Sequence, residues 1–139
     1  MHAPNLSAAP LPGDVVPRTV GIVGFNGVAA LDIIGPLEAF KAARAYTNFH
    51  RTHSCYEVQL LGLTGKRFVA ESGLDLKADK LLAKVSALDT LIIPGGAHGR
   101  PEIGREIAVW LRANAGRVRR IASVNTGVYA LAEGGFLNN

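Results

Sequence analysis

Short apolar runs recur along this chain from Thr19 onward, each closed by a turn signal. Thr19–Phe25 (TVGIVGF) stops at Asn26-Gly27, Tyr56–Leu63 (YEVQLLGL) at Thr64-Gly65, and Thr90–Ile93 (TLII) at Pro94-Gly95-Gly96. Runs of this length and continuity predict buried strands. Arg120–Val124 predicts another buried strand, which breaks sharply at Asn125. Between these runs the period lengthens. Ala29–Ala45 has helical spacing through Leu37 and Phe40, with an early interruption expected at Gly35-Pro36. Pro101 suits a first helical turn, and Ile103, Ile107, Trp110 and Leu111 share one face up to Gly116. Thr126–Glu133 predicts a further helix, ended by Gly134-Gly135. Phe68–Ser72 and Leu74–Lys77 predict a hairpin around Gly73, and Leu81–Leu88 a turn or two of helix. Strands alternating with amphipathic helices indicate an α/β sheet, mostly parallel and covered on both faces.

Composition narrows the class. With 139 residues, 48% hydrophobic and 19% charged, the chain suits one folded domain. Met1–Pro17 carries Pro4, Pro10, Pro12 and Pro17 and is expected to be a flexible arm, leaving 18–139 as the domain. The net charge of +4 is mild, and its densest cluster, Arg112, Arg117, Arg119 and Arg120, falls around a helix end and a strand start, where cations are ordinary. The single cysteine, Cys55, excludes an internal disulfide and fits a reducing, cytoplasmic setting. No apolar run reaches the ~20 residues of a membrane span, and no secretory signal pattern opens the chain.

In parallel sheets, ligands bind beyond the carboxyl ends of the strands. Three loops leave such ends: Asn26–Asp32, Pro94–Gly99 and Asn125–Gly127. A strand-turn-helix corner such as Asn125 holds one side chain over a pocket, beside the N–H groups of the new helix at Thr126 and Gly127. Asparagine tolerates positive φ and can cap a helix. It is no nucleophile, since a neutral carboxamide has no activated lone pair. Gly95 and Gly96 would let backbone donors approach a ligand or oxyanion. Asp32, in an apolar run, is either an N-cap or an acid raised by burial and able to donate to the elbow residue. Glu38 is a weaker candidate facing solvent, and His98 a weaker acid or base over the glycine loop. His50 and His53 lack a third partner, so no metal site is expected, and no cofactor is implied.

Together, VGIVGFNGVAALDIIGPLEAF, DTLIIPGG and RRIASVNTGVYALAEGGFLNN resemble the ThiJ/PfpI superfamily, the class I glutamine-amidotransferase-like fold. Within it they are most similar to the N-terminal sensor domain of AraC-family transcription regulators. The resemblance covers Arg18–Asn139 and implies a flavodoxin-like three-layer sandwich that often dimerises. In enzymatic relatives, such as isocyanide hydratases, it implies a cysteine at the position of Asn125, an acid at that of Asp32, and an oxyanion site made by the amides after Gly95 and Asn125. In the regulators it implies that this domain senses a small molecule while a separate C-terminal helix-turn-helix pair binds DNA. The chain departs from the pattern twice. The cysteine is replaced by Asn125, and the family would continue past Asn139 with a strand bearing Thr-Thr-His, so the domain is expected to be truncated on its C-terminal side.

Three functions follow as expectations. The first is a non-catalytic ligand-sensing and dimerisation domain of an AraC-type regulator. Its ligand would be a small molecule at Asp32, Gly95, Gly96, Asn125, Thr126 and Gly127, and DNA would be contacted only through a domain outside this chain. The second is a stand-alone hydratase- or amidase-like enzyme, which needs a thiolate at the elbow. The third is a degenerate interaction module with a closed pocket.

Overall fold

The computed structural model describes residues 16–46, 52–96 and 100–138. The expected arm falls almost wholly outside these residues, as do His98 and His50. The chain runs β1 (Arg18–Gly24), α1 (Ala30–Ala42), β2 (Arg44–Tyr46), β3 (Thr52–Ser54), β4 (Tyr56–Gly62), β5 (Arg67–Val69), β6 (Asp75–Lys77), β7 (Lys80–Leu81), β8 (Leu88–Ile93), α2 (Pro101–Asn114), β9 (Val118–Ser123) and α3 (Val128–Glu133). Five strands pair in the order β7-β4-β1-β8-β9, every pairing parallel.

The apolar runs become the sheet centre because parallel strands flanked by helices bury both faces. Val20, Ile22, Val23, Leu61, Leu91 and Ile93 are closed to solvent or nearly so. One face carries α1, whose Phe40 meets Tyr56 of β4 edge to face at 4.8 Å. The other packs against α2 through Ile103, Ile107 and Leu111, the predicted stripe, with Ala108 buried beside them and Trp110 half-buried.

Three expectations need correction. β9 is not a buried strand. Among the described strands it lies at an edge of the sheet, and Arg119, Arg120 and Ala122 are exposed along it. α1 is not interrupted at Gly35-Pro36, and Pro36 lies inside it. Glycine before the proline removes the Cβ that would otherwise clash with the ring, so the helical backbone survives there. The helix also stops at Ala42, and the chain turns into a β2–β3 ribbon instead of extending to Ala45. Leu81–Leu88 holds the end of β7, a single 3-10 turn over Leu82–Lys84 and the start of β8. The hairpin around Gly73 forms as β5–β6.

Candidate functional site

Three strand ends converge at the carboxyl edge of the sheet. After β1, Gly27 N–H donates to Val69 O at 2.8 Å, and the Val69 N–H returns to Asn26 Oδ1 at 2.9 Å, so the hairpin fixes the first loop. That loop is tied in turn to the glycine loop after β8, where Ala29 N–H donates to Gly95 O at 3.0 Å and Val28 bridges Gly96. Gly96 has φ 108°, a region open to glycine, and a Cβ there would run into the backbone of Gly27–Ala29. The third loop joins through Val124 N–H, which donates to Ile93 O at 2.9 Å.

On this frame Asp32, Gly95, Gly96 and Thr126 form one hydrogen-bonded cluster. Asp32, in the first turn of α1, accepts the Gly95 N–H at Oδ2 over 3.0 Å. Thr126 accepts the Gly96 N–H at Oγ1 over 3.1 Å. A Cβ on Gly95 would lie 2.6 Å from Thr126 Oγ1 and 2.7 Å from Asp32 Oδ2, so only glycine lets the two side chains close over this turn. The two glycine N–H groups expected to face a ligand are therefore already taken by Asp32 and Thr126. Nor does Asp32 cap α1, whose N-cap is Ala29 with no side-chain bond.

Asn125 sits at the corner with φ 52°, left-handed backbone of the kind such an elbow requires. It opens a 3-10 turn, Asn125–Gly127, that feeds α3. Its side chain does not cap that turn, because the preceding residue, Val124, is the N-cap. Asn125 is exposed, and neither its N–H nor that of Thr126 has a hydrogen-bond partner among the described residues. Gly127 is buried against the Ile93 carbonyl, which a Cβ would strike. Glu38 is exposed on α1, outside the cluster.

Beside the cluster, between α2, the elbow and α3, lies a cavity of about 380 Å³. Gly96, Thr126 and Gly127 line it, together with Phe25, Ile93, Ile103, Gly104, Ile107, Tyr129 and Ala130, and Arg100 and Pro101 stand at the α2 end. Asp32, Gly95 and Asn125 are not part of its wall. The cavity went unforeseen in the sequence because it is formed by the α2–α3 contact, although the glycine at position 104 of an otherwise regular helix was a visible signal. Among the described residues no three His, Cys, Asp or Glu side chains group as metal ligands. No described helix is long and apolar enough to cross a membrane.

The geometry has relatives. The family model described as DJ-1/PfpI family matches residues 18–139. The chain is 26% identical over 122 residues to the HTH-type transcriptional regulator GbdR of Pseudomonas aeruginosa, which aligns 88% of this chain with 32% of that protein. It is 30% identical over 123 residues to a protein in the cpoL 5′ region of Streptomyces lividans, covering 87% of this chain and 82% of that one. Among solved structures it is similar to a ThiJ/PfpI family protein from Pseudomonas syringae (TM-score 0.74, 17% identity, 97% and 56% coverage). DJ-1beta of Drosophila melanogaster is also similar (TM-score 0.70, 19% identity, 86% and 61% coverage).

Proposed function

The chain belongs to the DJ-1/PfpI family, and from that premise we propose that it is a ligand-sensing and dimerising domain of an AraC-type transcription regulator, without covalent catalysis. The family includes both enzymes and regulatory domains, so membership leaves the choice between them to the site. The observation that carries this reading is Asn125. The left-handed corner that would present a nucleophile is retained, and the side chain on it is a carboxamide. Around it remain parts suited to holding a molecule: two N–H groups without a partner among the described residues and a largely apolar cavity within the ~300–1,000 Å³ range of small-molecule sites.

The likeness to GbdR supports the regulatory setting. The chain spans about a third of that protein's length, and DNA contact is proposed to belong to a separate helix-turn-helix domain. Self-association is proposed through the outer side of α1, where Leu31 is 78% and Ile34 40% exposed. Light scattering on Leu31→Glu checks that surface, with a fall to monomer mass expected.

A metabolite screen by thermal shift tests the central reading. One or more small molecules should raise the melting temperature of this chain, and the chain alone should bind no operator DNA. Tight sequence-specific DNA binding by these 139 residues, or the absence of any ligand response, would count against it.

A further inference from the structure

Gly104 lies in the second turn of α2, a helix of fourteen residues, where glycine is less stable than alanine. A Cβ at Gly104 would meet nothing within 4 Å, and the open space beside it belongs to the 380 Å³ cavity that Gly104 lines. The missing side chain is therefore what keeps this wall of the cavity bare.

The cavity's chemistry is asymmetric. Ile103, Gly104 and Ile107 give it an apolar wall along α2, facing Phe25 and Ala130. From Arg100 to Ile107 is about 10 Å along the helix axis. Among the described residues the one charged lining group is Arg100, at the N-terminus of α2, where the helix dipole adds to its positive charge. Arg100 Nε donates to Glu102 Oε1 at 2.9 Å and Nη1 to Asn26 O at 3.4 Å, and Nη2 has no partner among the described residues. Glu102 itself does not line the cavity. Thr126 Oγ1 accepts from Gly96 and keeps its own proton to donate. Arg100 and Thr126 thus offer polar donors to a cavity whose remaining side-chain lining is mostly apolar.

We propose that this cavity binds a small carboxylate with an apolar tail, its head at Arg100 and Thr126 and its tail along Ile103, Ile107 and the bare backbone of Gly104. The proposal rests on the sensing reading and gives it a ligand class. At ~30 Å³ per water-sized group, the volume admits on the order of a dozen non-hydrogen atoms, the size of a medium-chain monocarboxylate.

Isothermal titration of the 139-residue chain with straight-chain carboxylates from butanoate to decanoate tests it. Affinity should rise about fourfold per methylene, the equivalent of ~0.8 kcal/mol for each buried CH₂, until the cavity is full, and then level off. Alcohols of equal length should bind at least about tenfold more weakly, because they lack the charge-assisted bond. Arg100→Gln, an exposed position, should bring the carboxylates down to the level of the alcohols. Gly104→Leu should fill the cavity and abolish binding, with a cooperative thermal transition confirming that the variant is folded. Binding that is independent of chain length, alcohols that equal carboxylates, Gly104→Leu that binds like the parent, or no binding by any member of the series would each overturn the proposal. A metabolite that raises the melting temperatures of the parent and Gly104→Leu equally would reject this cavity and leave the sensing reading intact.

Discussion

Asn125 is the only non-glycine residue at positive φ among those described, and its identity suits that backbone before it suits any ligand. Asn125→Gly should leave stability nearly unchanged, whereas Asn125→Val should lose about 1–2 kcal/mol, the cost of placing a side chain with a branched Cβ in left-handed backbone. Urea unfolding measures both. This residue was legible in the sequence, because asparagine between an apolar run and a helix points to a strained corner. Its neighbours were only half legible. Asp32 and Gly95 lie 63 positions apart, and no spacing rule indicates that the carboxylate takes the Gly95 N–H. A second pair tells the same story at the far end of the sheet. Arg119 looked like an ordinary flanking cation, yet its Nε and Nη2 donate to both oxygens of Asp89 at 2.6 and 2.8 Å. The hydrogen bond from Arg119 leads in holding the Asp89 carboxyl down from 3.8 to about 2. A lowered carboxyl favours the fold in its ionised form, so this contribution is full above about pH 4 and is lost as the pH falls towards 2. An NMR titration of Asp89 should show that low midpoint, and Arg119→Gln should return it towards the ordinary value.

At the scale of elements, periodicity located the central strands and α2, because burial on both faces forces continuous apolar runs and one-sided packing forces a stripe. It misjudged β9 and α1 for physical reasons. Among the described residues β9 has no strand on its outer side, and it keeps apolar residues while Arg119, Arg120 and Ala122 are exposed. In α1 the expected break at Gly35-Pro36 is absorbed by the helix, leaving the Asp32 carbonyl without the N–H that residue 36 would supply. Pro36→Ala should therefore stabilise the domain by about 1–3 kcal/mol, read as a shift in denaturation midpoint without a change in slope. An unchanged or lowered midpoint would mean that the proline ring itself is needed in the packing around Leu37.

For the molecule as a whole, the parallel sheet brings three loops that are distant in sequence to one edge. Their convergence was legible from the α/β pattern alone. The distribution of roles among them was not. Asp32 and Thr126 bind the glycine loop internally, while the open volume lies to one side, under α2 and α3. The arrangement keeps an elbow, backbone donors and an apolar cavity and has no thiol at the corner, which is why the domain is proposed to hold its ligand and release it unaltered. The most direct measurement incubates the protein with a ligand identified by thermal shift and recovers the small molecule for mass spectrometry. The account predicts unchanged ligand, with neither a covalent adduct nor a product, and the same outcome for Asn125→Ala. Conversion of the ligand by the native protein that disappears in Asn125→Ala would contradict it.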